Sequence, residues 1–479
     1  MTPIAKKKHK VVKQLKHHER KHRLHVPPAV APNTVSPLAM TQPMVDRLFW
    51  RAGFGPTPTD RQKWVGQPVT AAVDWLLSTP GAPLVGTPAT NSGAPLDPFG
   101  NDTDLVLSWV DTMVRTPNPL VERMTFYLHR HFANSRMTVS PPQLLVTQNN
   151  LFRSYADFSS KPAADFKSLV SDISTDPSML RYLTGEANVA GAPNENYARE
   201  LMELFTLGPV NDAGTPNYSE GDVHELAKAL TGWQINDSDP NAVSSYFTSG
   251  RWYLGPKTAF GLYGNWKTPD VVNLVLAQPN HPTFLIRKLW GEFIPTPPDQ
   301  PTLQDLTTTY TSSGLQLKPL LRKILTHPDL FNSIDEPNML KTPVVYAVGV
   351  MRALGRPITD ETVSDYLVSM GQQPYFPPNV SGWEGGLSWL NTNTALARWG
   401  FVANLVTTGP KVDDVVGETT QAAYDRAYAA VNSPWLAQGT HDQILAAATK
   451  MPSKTPAQRL QRQQVLRTLM LAGPDAQVM

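Results

Sequence analysis

The chain has 479 residues, 41% hydrophobic and 17% charged, which allows two or three average domains or one large helical one and excludes wholesale disorder. It has no cysteine, which excludes disulfides, thiolate metal sites and cysteine nucleophiles, while 45 prolines predict short helices joined by long ordered loops. The net charge of +2 conceals an asymmetry: residues 1–40 hold nine Lys or Arg against the single acid Glu19, leaving 33 basic against 39 acidic residues elsewhere.

The run Lys6 to His25 reads as a disordered cationic arm, tethered by the proline-rich stretch Val26 to Pro37. Such an arm can bind polyanions (nucleic acid, anionic lipid or an anionic polymer), hold the protein's own acidic surface, or act as a solubilising tail. It has no interleaved aromatics, so a specific nucleic-acid site is not expected. The first forty residues lack the apolar core of a signal peptide, and no window approaches the roughly 18 apolar residues of a membrane span. As written, the chain is expected to be soluble and cytoplasmic, with no transmembrane segment.

Beyond the arm, Val45 to Arg51 opens a helix that stops at the Gly- and Pro-rich loop Ala52 to Pro58. Further helices are expected at 68–77, 102–115, 119–132, 143–158, 162–175 and 178–183. The later ones fall at 268–276, 282–293, 302–312, 317–326, 343–354, 360–370, 392–406, 419–431, 441–450 and 455–472. The aromatic- and Gly-rich patch Ala242 to Trp266 is the place for a small hairpin. The fold class is therefore mainly α, a large multi-helix assembly with long ordered loops and at most a small β-hairpin.

The segments Pro193 to Leu207 and Ser219 to Trp233 read as an acidic helix pair. Stepping about 100° per residue puts Tyr197, Ala198, Leu201, Met202, Leu204 and Phe205 on one arc and Glu195, Asn196, Arg199, Glu200 and Glu203 on the other. Arg199 lies four residues from both Glu195 and Glu203, a spacing for paired salt bridges. In the second segment Ser219 and Asp222 fit a capping box, Val223, Leu226, Ala227 and Leu230 form an apolar face, and Glu220, His224 and Lys228 line up beside Glu225. The plain reading of these stripes is a solvated face. The alternative is that a hairpin of the two helices gathers carboxylates, which raise one another's pKa or recruit a divalent cation such as Mg²⁺, Ca²⁺ or Mn²⁺.

His129 and His131 add a His-x-His that could hold zinc, manganese or iron with nearby carboxylates, Glu195 and Asp222 among them, if the backbone there is extended. In a helix the two rings diverge by about 200°, and histidines bonded within a packed core are the commoner outcome. The loop Pro377 to Leu390, with Trp383, Trp389 and Glu384, suits either a sugar or polymer surface or a core plug. No Gly-x-Ser-x-Gly, Walker loop, dinucleotide fingerprint or His-Glu-x-x-His is present.

The phrases Pro193-Asn194-Glu195-Asn196-Tyr197-Ala198-Arg199-Glu200-Leu201-Met202-Glu203-Leu204-Phe205-Thr206-Leu207-Gly208 and Ala229-Leu230-Thr231-Gly232-Trp233 closely resemble the signature of the bacterial family called domain of unknown function 1800. Arg51 to Pro58, Glu122-Arg123-Met124, His131 to Ser135, Asp176 to Leu180, Lys288-Leu289-Trp290, Pro377 to Trp383 and Leu469 to Pro474 resemble it too. The resemblance runs from about Met44 to the C-terminus. It implies one large helical domain, residues 41–479, preceded by the arm, residues 1–40. It carries no established activity and is compatible with an extracytoplasmic location as well. Relatives usually have a His-Asp pair shortly before a Gly-x-Lys; here Gly255-Pro256-Lys257 is present but Trp252 and Tyr253 stand in those places.

Two functions follow as expectations. In the first the protein is a metal-dependent or carboxylate-using, hydrolase-like enzyme, with Glu200, Glu203 and Glu225 as acid/base or ligand groups and a divalent metal as cofactor. In the second it is a non-catalytic binding or scaffold protein in which the same acids form a salt-bridge network.

Overall fold

A computed structural model describes residues 39–239, 242–410 and 412–479; the cationic arm lies outside the described residues. Proline does much of the helix punctuation. Ten of the 20 α-helices among the described residues carry it in their first turn, where a missing N–H costs no bond and the fixed φ suits the helix. The order begins α1 (Gln42–Arg51), α2 (Pro58–Trp64) and α3 (Val69–Leu76), then the short hairpin β1 (Thr90–Asn91) and β2 (Ala94–Pro95). It continues with α4 (Asp102–Arg115), α5 (Pro119–His131), α6 (Pro142–Ala156), α7 (Phe166–Ile173), α8 (Pro177–Tyr182), α9 (Asn196–Glu200) and α10 (Glu220–Ala229).

Two further hairpins follow, β3 (Trp233–Asn236) with β4 (Ser244–Phe247) and β5 (Lys257–Ala259) with β6 (Leu262–Gly264), both antiparallel. The remainder is helical: α11 (Thr268–Leu276), α12 (His281–Phe293), α13 (Gln300–Ser312), α14 (Leu317–Leu325), α15 (Pro343–Leu354), α16 (Thr362–Ser369), α17 (Thr392–Thr408), α18 (Thr420–Ala430), α19 (Gln438–Lys450) and α20 (Pro456–Ala472). The protein is mainly α, as its patterning implies. The loop after α1 is as expected, but the patterning passes from it to the helix at 68–77 and misses α2, which Thr57 and Asp60 start with a reciprocal capping box. Trp233 does not end a helix; it pairs with Phe247 at the start of β3.

Residues Ala39–Met479 form one unit containing two apolar clusters. One gathers α1, α3, α7 to α14 and the turn after α9. The other gathers α4 and α15 to α20. α5 runs between them, giving Leu120, Val121, Met124, Tyr127 and Leu128 to the first cluster and Phe126 to the second. Because both sides of α5 are covered, even its charged residues Glu122 and Arg123 are buried.

The expected helix 193–207 departs from regularity midway. α9 passes into a π-helical turn, Leu201–Thr206, in which Leu207 N bonds to Met202 O at 2.9 Å, five residues back. The carbonyls that a helix end leaves unsatisfied are taken by five side chains: Lys288 Nζ on Leu204 O (2.8 Å), His131 Nε2 on Phe205 O (2.9 Å), His281 Nδ1 on Thr206 O (3.0 Å), and Asn280 Nδ2 and Asn217 Nδ2 on Leu207 O (2.7 and 3.1 Å). Gly208, at φ +77°, then turns the chain away.

Candidate functional site

The acidic helices meet as the sequence suggests, but their acids are already partnered. Glu195 accepts from Arg199 Nη2 at 3.2 Å and meets His224 Nδ1 at 3.0 Å. Arg199 makes a two-pronged bond to Glu220, at 2.8 and 2.7 Å, and so ties α9 to α10. That pairing lowers the Glu220 pKa and raises the Arg199 pKa. The expected second arm from Arg199 to Glu203 is not formed: past Glu200 the π-helical turn breaks the four-residue register, and Glu203 instead accepts from Tyr218 Oη at 3.2 Å.

The acids of α10 grip the β5–β6 hairpin. Asp222 closes the capping box with Ser219 and accepts from Phe260 N at 2.6 Å. Glu225 binds Lys228 Nζ at 2.6 Å and Thr258 N at 3.0 Å. Burial pulls the Glu225 pKa upward, but Lys228 and the Thr258 N–H outweigh it and the net shift is down. Asp222→Ala removes a helix cap and the anchor of Phe260 together, and is expected to cost about 1–2 kcal/mol in urea denaturation. Arg199→Met breaks only surface pairs that water can replace and is expected to leave the urea midpoint nearly unchanged.

Glu200 is different. It is half-buried, no donor among the described residues reaches its carboxylate, and its pKa is raised by burial and then by neighbouring Glu203. Glu200 in turn raises the Tyr182 hydroxyl, after burial.

His129 and His131 do not converge, because both lie on α5 and two helical steps turn their rings to opposite cores. His129 sits among Trp109, Tyr375 and Trp383, and its Nε2 accepts from Tyr375 N at 3.2 Å. His131 sits among Phe132, Phe166 and Phe205 and caps the π-helical turn. Burial lowers both pKa values, that of His129 to about 3. Among the described residues no group of three or more His, Asp or Glu is arranged to hold a metal ion, so the four expected ligands His129, His131, Glu195 and Asp222 are not brought together.

A family model described as a protein of unknown function, DUF1800, matches residues 47–478. The chain belongs to this family. No curated protein and no solved structure matches it.

In this DUF1800 chain, the residues that stand where the His-Asp was expected are tied into the fold. Trp252 is buried with its indole N–H on Ala229 O at 3.3 Å, and Tyr253 N donates to Thr231 Oγ1 at 2.8 Å. Lys257 lies over the Trp252 ring, with Nζ 4.3 Å from its centroid, and donates to Tyr253 O, Asn265 Oδ1 and Trp266 O. All three of its N–H groups are used, and burial lowers its pKa to about 8. Trp383 is likewise a plug, packed on Phe126 and His129.

Sequence reasoning missed a second charged cluster. Arg123 and Arg130, seven residues apart on one stripe of α5, both bind Glu292 of α12, at 3.0 and 2.8 Å. Arg123 is fully buried, and its Nε and Nη1 have no partner among the described residues. The one signal for it is a pair of arginines interrupting an otherwise apolar helix surface. Among the described residues no helix is long and apolar enough to cross a membrane.

Proposed function

We propose that the protein is a non-catalytic binding or scaffold protein whose acidic helix pair is a structural clasp. The observation that carries this reading is that Glu195, Glu220, Asp222 and Glu225 each spend their oxygens on a cation or a backbone N–H. Carboxylates so engaged fix α9, α10 and the β5–β6 hairpin relative to one another, and both oxygens of each already have a partner. The filling of the expected His-Asp positions by Trp252 and Tyr253 supports it further.

A second reading, a carboxylate-using enzyme, is favoured by Glu200 alone. An unpartnered carboxyl with a raised pKa beside Glu203, itself bonded to a tyrosine hydroxyl, is a way to separate an acid from a base. Glu225 would serve it only by leaving Lys228 and Thr258.

The double variant Glu200→Gln/Glu203→Gln separates the two. In a clasp the pair is expendable, and relief of like-charge repulsion is expected to hold the melting temperature or raise it by about 1 °C. Metal content of protein purified without chelator, and the melting shift with added Mg²⁺ or Mn²⁺, should be equal in wild type and variant. Bound or stabilising metal that the variant loses would overturn the clasp and establish the enzyme reading.

A further inference from the structure

We propose that the cavity between α5, α12 and the loop Gly385–Trp389 binds a small organic oxyanion, in which a carboxylate, sulfate or phosphate is carried on an apolar body. The proposal is independent of the acidic helix pair. The cavity measures about 380 Å³ and is lined by Arg123, Arg130, Glu292, Leu340, Thr342 and Trp389, among others. That volume falls in the range of small-molecule sites, which pair an apolar lining with a few polar groups.

The polar groups here are mostly donors. Glu292 occupies one nitrogen of each guanidinium, leaving two nitrogens of Arg123 idle. Thr342 stands at the N-cap position of α15 yet caps nothing, and its buried Oγ1 has no partner among the described residues. Such groups have already lost their water, so a ligand oxygen that reaches them recovers free energy at little further desolvation cost.

Charge points the same way. Arg51 donates to three other lining residues: Asn338 Oδ1 at 2.8 Å, Met339 Sδ at 3.0 Å and Met479 O at 2.7 Å. Two guanidiniums therefore line the cavity against one side-chain carboxylate, Glu292, with Arg51 behind Asn338 and Met479, and the positive end of α15 opens beside them. Guanidinium forks match planar or tetrahedral oxyanions, and the Leu340 and Trp389 side chains set an apolar wall opposite an organic body.

Calorimetric titration of the full chain at low ionic strength with phenyl phosphate, benzoate and inorganic phosphate tests this. At least one organic probe should bind saturably at one site, more tightly than inorganic phosphate, with an affinity that falls as salt is added. Arg130→Gln, which leaves Glu292 its deeper partner Arg123, should weaken that probe about tenfold or more. Thr342→Val removes a hydroxyl that bonds nothing among the described residues, so the unliganded melting temperature should stay unchanged while the probe binds several-fold more weakly. Phenyl phosphate alone binding would assign the site to phosphate or sulfate esters, and benzoate alone to carboxylates; either supports the proposal. Absence of saturable binding, equal affinity for inorganic phosphate, or undiminished binding in both variants would overturn it.

Discussion

Glu292→Ala is expected to lower folding stability by about 3–5 kcal/mol, read from the midpoint of urea unfolding. The loss does not come from the carboxylate's own attraction so much as from what its removal leaves behind. Arg123 is 1% exposed and has no acceptor other than Glu292 among the described residues, so the variant leaves a desolvated guanidinium without a counter-ion. Arg130 is 30% exposed and can turn to water, which is why Arg130→Gln is expected to be mild by comparison. Tyr127, one turn from Arg123 on the same stripe, has a buried hydroxyl without a partner among the described residues and offers no replacement anion. Replacing Arg123 with Met and Glu292 with Leu in one chain should therefore recover most of the single-variant loss. A loss under about 1 kcal/mol for Glu292→Ala would mean that water reaches Arg123 and that the cluster is no buried pair.

Why that cluster is invisible in the sequence is a matter of distance along the chain. Arg130 and Glu292 are 162 residues apart, and nothing local to either marks the other. What was legible is what neighbouring residues decide. α4, α11 and α15 have the bounds their patterns predict, because Asn101 caps the first and prolines open the other two, and Gly355 in the left-handed region ends α15. The capping box of Ser219 and Asp222 was legible for the same reason. The π-helical turn was not, since it is held by Lys288, His131, His281 and Asn280 from two distant helices and not by its own periodicity.

The same division runs through the candidate site. The acids themselves were legible, as was the link from Arg199 to Glu195 at four-residue spacing. Which acid would take the rest of Arg199 was not, and Glu220 from the other helix displaced Glu203. The backbone N–H groups of Thr258 and Phe260, which engage Glu225 and Asp222, leave no trace in side-chain patterns at all. A stripe that reads as ligand-ready can thus be consumed by main-chain donors.

The second large effect is on acid stability. Burial holds His129 at a pKa of about 3 and His281 at about 4, and lowers His131 well below its ordinary value. Each folded pKa lies below the unfolded value near 6.5, so the unfolded chain binds protons that the folded chain refuses. Their stabilising contribution is complete above about pH 6.5 and is lost as pH falls toward the folded values; at pH 4 His129 alone accounts for about 3 kcal/mol. Protonating His129 Nε2 would also sever the bond it accepts from Tyr375 N. His129→Gln keeps an acceptor there, and between pH 6 and 4 its stability should fall less steeply than wild type by about 1.4 kcal/mol per pH unit. Asp176 works against the histidines: burial raises its pKa to about 7, so its contribution is complete below about pH 4 and is lost as pH rises from there to about 7. Asp176→Asn should therefore steepen the rise of stability from pH 4 to 6.5 by a similar slope. Parallel stability curves for wild type and both variants would show that neither group is held in its neutral form by the fold.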